Sequence, residues 1–259
     1  MASSAPETVL RWSENGLLPA SATTAPLLAA DSWLVHDGVV RGLSEHWERF
    51  GGWCARLGVA ANELAGFRAA VTASLPRGRG RFFPRVEAVA GEADAPPPLL
   101  LRVRSAPPAS LTVRVALAAP GDPRTRPRRK GPDLEALIAL RAGVAASGAG
   151  ELLLRDGDGR LIEGALSSLL WWEGDVLWTT PDERTLPGVT RALLLSIAAR
   201  EDVAVRVRSP LPAELDGCET WLTSALHGIR VVEGWGAAAR APQWREWLDA
   251  TARPLGEAP

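Results

Sequence analysis

Between Glu151 and Arg200 the sequence keeps one pattern and then drops it. Short apolar runs at Glu151 to Arg155, Arg160 to Glu163, Ser168 to Trp172 and Asp175 to Thr179 alternate with tight turns at Asp156-Gly157-Asp158-Gly159 and Glu173-Gly174. Runs of that length, bounded by Asp/Gly turns, read as paired antiparallel strands. After Leu186-Pro187-Gly188 the period changes, and Gly188 to Arg200 reads as the clearest helix of the chain. A chain with this middle must fold around a strand-rich body with one long helix against it.

The same region is entered through Lys130, the only lysine among many arginines. Arginine can supply a surface charge as well as lysine, but guanidinium does not deprotonate in proteins. The lone lysine is therefore either a by-product of an arginine-biased composition or an amine kept for nucleophilic attack on a carbonyl.

Composition limits the alternatives. The 259 residues suffice for one large domain or two smaller ones, and 46% hydrophobic with 23% charged residues describes an ordinary globular protein. A net charge of −1 argues against a general nucleic-acid surface. Two cysteines, Cys54 and Cys218, make no disulfide framework, so the cytoplasm is the expected compartment. Met1 to Thr8 lacks a basic and apolar leader, and no apolar run is long enough to span a membrane. His36, His46 and His227 lack metal-ligand spacing, so no metal is expected.

In chain order, Val9 to Trp12 reads as a first strand within a weakly patterned opening of thirty residues. Trp33 to Arg41 reads as a hairpin around Asp37-Gly38, and Ser44 as the cap of a helix carrying Arg49. A helix over Ala60 to Ala70 follows, then strands at Arg81 to Ala88, Leu99 to Arg104 and Leu111 to Leu117. This gives an α+β domain over 1–118. The Pro/Arg-rich segment 119–130 reads as an interdomain loop ending at Lys130. Its arginines, Arg124, Arg126, Arg128 and Arg129, are either a solvated linker or a site for an anion. A β-rich domain over 131–259 completes the chain, with helices at Asp133 to Ala146 and Pro242 to Ala252.

Two features of the second domain carry chemistry. Leu186-Pro187-Gly188-Val189-Thr190-Arg191 leaves the amides of Val189 and Thr190 in a first helical turn, without intrahelical partners. That is either an ordinary helix start or a phosphate site assisted by the Thr190 hydroxyl. Glu163, set among apolar residues after a tight turn, needs a partner: an arginine, or something protonated.

An amine, a buried carboxylate and a phosphate-ready helix start, in that order, match the needs of pyridoxal phosphate. The sequence resembles the class IV aminotransferase family, the fold-type IV enzymes that include branched-chain and D-amino acid aminotransferases and aminodeoxychorismate lyase. The resemblance rests on Lys130, the strand-turn-strand from Glu151 to Glu163, Gly164-Ala165-Leu166-Ser167-Ser168, the Leu-Pro-Gly-Val-Thr-Arg run and Leu222-Thr223-Ser224-Ala225-Leu226. It reaches back to His46-Trp47-Glu48-Arg49-Phe50. It implies a small α+β domain and a larger pseudo-barrel domain with pyridoxal 5'-phosphate held between them, in a homodimer. It also implies that Lys130 forms the Schiff base and Glu163 meets the pyridine nitrogen. Val189 and Thr190 then form the phosphate cup, which Arg49 reaches, and Ser224 is a further cofactor contact.

The chain departs from the family on the substrate side. It has no tyrosine at all, so the one that follows the lysine in the aminotransferases is missing. Ala225 stands where several have a threonine, Ser168 replaces a common asparagine, and Pro26 to Val35 lacks the Gly-Asp-Gly. The expectation is an aminotransferase acting on an amino or keto acid, with the four arginines before Lys130 receiving a carboxylate. A lyase like aminodeoxychorismate lyase is the second reading, and a non-catalytic relic that binds the cofactor or an anionic metabolite the third.

Overall fold

The structure, a computed structural model, describes residues 7–256. Residues 1–6, part of the stretch without a leader-like pattern, and 257–259 lie outside the described residues. The chain divides into two compact units: Met1–Pro108 with Arg129–Pro132 and Ala252–Pro259, and Ala109–Arg128 with Asp133–Thr251. The chain thus changes unit after Pro108, earlier than the boundary at 118 expected from sequence. The short segment carrying Lys130 groups with the first unit, and so does the C-terminal tail.

In the first unit, β1 (Thr8–Ser13), β2 (Gly16–Pro19) and β3 (Leu27–Ser32) precede a short hairpin, β4 (Val35–His36) and β5 (Val39–Val40). Helices α1 (Leu43–Arg56) and α2 (Ala61–Ser74) follow, then β6 (Arg81–Phe82), β7 (Arg85–Val89) and β8 (Leu99–Val103). The main sheet is antiparallel in the order β2-β1-β8-β7-β3. At the β4–β5 turn Asp37 and Gly38 both have positive φ, 50° and 78°, the conformation an Asp-Gly hairpin needs. A Cβ on Gly38 would lie 2.4 Å from the Arg77 carbonyl oxygen, so glycine is required there on two counts. Helix α1 turns Trp47, Phe50 and Cys54 inward at helical spacing, onto Trp33, Phe67 and Leu101. Its N-cap is Gly42, at φ 62°, rather than Ser44, whose hydroxyl instead donates to Glu45 Oε2 at 3.1 Å.

In the second unit the stretch expected as one strand, Leu111 to Leu117, is two: β9 (Thr112–Val113) and β10 (Val115–Leu117). They flank exposed Arg114 and join different sheets. After α3 (Leu134–Gly143) come β11 (Glu151–Arg155), β12 (Leu161–Gly164), β13 (Ser168–Glu173) and β14 (Val176–Thr179). Helix α4 (Val189–Arg200), β15 (Val205–Val207), β16 (Thr220–Ser224), β17 (Gly228–Val232) and α5 (Ala241–Asp249) complete the unit. The sheet orders are β15-β14-β13-β16-β17-β9 and β10-β11-β12. Leu194, Ile197 and Ala198 of α4 and Trp244 and Leu248 of α5 cover Trp172 and Trp221 of the larger sheet. The rings of Trp172, Trp221 and Trp244 pack edge-to-face or tilted at 5.4–5.7 Å, so three large side chains fix this wall. Among the described residues no helix is long and apolar enough to cross a membrane, and no group of three His, Cys, Asp or Glu could hold a metal ion.

Candidate active site

Two groups of polar residues stand out, one in each unit. The first is built around Lys130. The Ala30 N–H donates to the Lys130 carbonyl at 2.8 Å, which lays the segment along β3. Gly131, at φ 137°, makes this approach possible, because a Cβ there would meet the Ala29 backbone at 2.8–3.1 Å. Arg129 secures the other side: its Nε donates to the Leu28 carbonyl, and its guanidinium lies 5.2 Å from the Trp53 ring centre. The residue Lys130 keeps some solvent access, but its amine is desolvated. Burial, with the charges of Arg49, Arg85 and Arg104 and against the pull of Asp31, lowers its pKa to about 8. An amine so placed gives up its proton far more readily than an ordinary lysine, and the uncharged form is the one that acts as a nucleophile.

Asp31 is the buried anion of this group, on β3 and fully covered. It accepts from Arg49 Nε at 2.7 Å and Nη2 at 2.8 Å, from the Ser32 N–H at 2.7 Å, and lies 2.8 Å from His46 Nδ1. Burial alone would raise its pKa, but Arg49 and His46 together outweigh burial and hold the carboxyl well below the usual range. Burial, together with the charges of Arg49 and Lys130, outweighs Asp31 and lowers His46, so the imidazole is neutral and its Nδ1–H donates to Asp31. Arg49, the expected phosphate contact, is thus braced by a carboxylate. Asp31 did not emerge from the sequence, although a lone acid in an apolar, strand-like run is the available signal.

The second group surrounds Glu163 on β12. Its Oε1 accepts from the Leu186 N–H at 2.8 Å and from Arg124 Nη1; Oε2 accepts no hydrogen bond among the described residues. Arg124 is held in turn by Asp122, through Nε at 2.9 Å and Nη2 at 2.8 Å, and donates to the Arg184 carbonyl at 2.7 Å. Its side chain is 4% exposed, so it has partners other than the substrate carboxylate expected of it. Asp133 fixes the loop by accepting from Thr125 N–H at 3.0 Å and Arg126 N–H at 2.8 Å. Burial raises Glu163 to about 7 against the opposing pull of Arg124, the Leu186 N–H and Arg191. Arg126 and Arg128 are exposed and make no ion pair among the described residues.

Helix α4 begins where the sequence indicates, with Val189 and Thr190 buried in its first turn. Their N–H groups and the Thr190 hydroxyl make no hydrogen bond among the described residues. A Cβ on Gly188 would lie 2.4 Å from Ser168 Oγ, so the helix start is seated directly on β13. Ser224 ends β16, half-buried, and its hydroxyl accepts the His227 N–H at 3.3 Å.

The family model for amino-transferase class IV matches residues 28–235. A search of curated proteins finds no match. Among solved structures, the chain is similar to a hypothetical aminotransferase from Mycobacterium tuberculosis in its PLP-bound form. That match has TM-score 0.73 and 20% identity, and covers 95% of this chain and 98% of that one. A fold IV-transaminase from Curtobacterium pusillum matches with TM-score 0.73 and 18% identity over 94% and 97% of the two chains. A branched-chain amino acid aminotransferase of T.th., complexed with N-(5'-phosphopyridoxyl)-L-glutamate, gives TM-score 0.78 and 18% identity over 94% and 93%. At these identities the likeness is one of fold.

Proposed function

The chain belongs to the class IV amino-transferase family, and from that premise we propose that it is a pyridoxal-phosphate-dependent aminotransferase whose Schiff-base lysine is Lys130. The observation that carries the reading is the environment of that amine, the only lysine side chain available, desolvated and lowered to about 8. The residues fit the cofactor. Val189 and Thr190 offer buried donors, without a hydrogen bond among the described residues, to a phosphate at a helix start, and Glu163 offers an open oxygen to a ring nitrogen; Arg49, in the first unit, is the arginine this reading assigns to the phosphate. When bound, pyridoxal phosphate supplies an electron sink for the bonds of a substrate's α-carbon. The chain's own part is to present the Lys130 amine for bond formation and to carry a proton on Nζ. Val189 and Thr190 would hold the cofactor's phosphate, and Glu163 its ring nitrogen. On this reading Ser224 would be a further cofactor contact. On the same reading the enzyme is a homodimer of the cytoplasm. The free thiols of Cys54 and Cys218 support a reducing compartment, and exposed Ile138 and Leu140 on α3 are apolar surface of the kind a second copy covers.

The test is spectroscopic. Purified protein given pyridoxal phosphate should gain visible absorbance, lose it on borohydride reduction, and carry the cofactor on the peptide containing Lys130. Amino acids added singly should then convert the absorbance in a half-reaction. An unmodified Lys130 peptide would overturn the reading. The absence of tyrosine and the presence of Ala225 favour a second reading, a lyase of the same family, which releases pyruvate from aminodeoxychorismate without that conversion.

A further inference from the structure

The most constrained charged group in the second unit is not one that the family resemblance singles out. Arg124 contacts three partners at once: Asp122 through two nitrogens, Glu163 Oε1, and the Arg184 carbonyl. Both ends of the chain Asp122–Arg124–Glu163 are carboxylates, so its net charge is that of one anion. Asp122 neutralises and orients the guanidinium. The guanidinium and the Leu186 N–H together occupy Oε1, which leaves Oε2 as the only acceptor of Glu163 without a partner among the described residues. The Arg184 contact also ties down the loop that delivers Leu186 and the start of α4.

We infer that Arg124, braced by Asp122, is a positioning residue that supplies the charge Glu163 needs to remain a carboxylate and reserves Oε2 for a protonated ring nitrogen. The inference rests on the reading that this chain holds pyridoxal phosphate with Glu163 at the ring. Its physical basis is a competition for one proton. A carboxyl and a pyridine nitrogen in contact share that proton, which sits on the weaker acid of the pair. A buried glutamate without a cation binds protons avidly and would keep it. The Arg124 guanidinium lowers the carboxyl's proton affinity and so moves the proton to the ring. The other charges around Glu163 do not replace it. Arg191, on α4, acts on Glu163 but is bound by Asp182 and by Thr185 Oγ1 at 3.2 Å. Arg184 is exposed and faces Asp156 at 3.6 Å. On the neighbouring strand Glu151 is closed by Arg230 at 2.9 Å and Ser167 at 3.1 Å.

Infrared difference spectra of the cofactor-free protein, with Glu163→Gln as the reference that removes the band, report protonation of this carboxyl. In the unsubstituted protein the protonated band should be present at acid pH and absent at mildly alkaline pH; its persistence there overturns the inference without any further variant. Arg124→Gln should raise the proton affinity at least about tenfold, one pH unit of midpoint. Arg124→Lys, which keeps the charge, should recover most of that shift. An unchanged midpoint in Arg124→Gln, or an equal shift in both variants, overturns it. In reconstituted protein, nitrogen NMR of ring-labelled pyridoxal phosphate separates the two levels. If Glu163→Gln leaves the ring nitrogen unmoved, the cofactor reading of Glu163 fails. If Glu163→Gln moves it and Arg124→Gln does not, only the role of Arg124 fails.

Discussion

Asp31 binds the Arg49 guanidinium from two directions, Nε on Oδ2 at 2.7 Å and Nη2 on Oδ1 at 2.8 Å, inside the first unit. Asp31 is fully buried and the Arg49 side chain 11% exposed. Breaking such a pair from one side leaves an uncompensated charge, at a cost of about 3–5 kcal/mol. Asp31→Asn should therefore lower stability to urea by that order. Asp31 is held below its ordinary value of 3.8, so its stabilisation is present above that pH and is lost as pH falls further. The stability of the unsubstituted protein should drop more steeply below about pH 4 than that of Asp31→Asn. Parallel slopes in acid urea titrations would refute the pair's contribution.

Arg49→Ala and Thr190→Ala should each weaken pyridoxal phosphate binding by about 1–3 kcal/mol, the scale of a lost charged hydrogen-bond partner. Arg49→Ala should show the additional stability loss of orphaned Asp31, and Thr190→Ala should not. Fluorescence titration with the cofactor, alongside urea denaturation, measures both. Cofactor affinity unchanged in both variants would remove them from the phosphate site.

Lys130 titrates near 8 in the folded protein against an ordinary 10.5. A base lowered in this way costs stability while it must bind a proton, so the protein should become more stable as pH rises from about 8 to 10.5. Lys130→Met should lack that rise. Modification of the cofactor-free protein by an amine reagent should have its midpoint near pH 8 at Lys130, and the Lys130→Arg protein should yield no borohydride-trapped cofactor.

Glu163 runs the opposite way. Its folded value is raised from 4.5 to about 7, so its stabilisation is complete below 4.5 and is lost as pH rises through 7. Glu163→Gln should therefore gain stability relative to the parent across that window. It should still bind the cofactor yet lose at least about tenfold in turnover, an effect worth one pKa unit at the ring. Near-parental turnover would make Glu163 a structural carboxylate.

The second unit was the more legible from sequence, and the reason is local. Asp156-Gly157-Asp158-Gly159 and Glu173-Gly174 set hairpins whose strands, β11 with β12 and β13 with β14, need only neighbouring residues to be read. Leu186-Pro187-Gly188 marks the start of α4 in the same way. Strand β3 was hidden because Ala29 to Ser32 lie buried among sheet neighbours distant in sequence, and Leu27-Leu28-Ala29-Ala30 shows no alternation of apolar and polar residues. The split at Arg114 was hidden because the partners of β9 and β10, β17 and β11, lie far along the chain. Partner choice among arginines was hidden for the same reason. Nothing in Arg-Thr-Arg-Pro-Arg-Arg distinguishes Arg124, which finds Glu163, from Arg126 and Arg128, which stay in solvent.

That distinction sharpens what to expect of the substrate. Arg124 is held by Asp122 and Glu163, and Arg129 donates to Leu28 beside Trp53, which leaves the exposed Arg126 and Arg128 to meet a substrate carboxylate. Guanidinium binds carboxylate through two parallel hydrogen bonds, so a dicarboxylic amino donor should be preferred. Removing one such contact at a solvent-accessible site should cost about 1–2 kcal/mol, or roughly ten- to thirtyfold in KM, with kcat little changed. Arg126→Ala and Arg128→Ala should show this with glutamate and not with alanine as donor. Half-reactions followed by the loss of visible absorbance give both constants from one experiment. Equal losses with both donors would mean that these arginines act on the fold. Conversion by no amino acid, together with pyruvate release from aminodeoxychorismate, would replace the aminotransferase with the lyase.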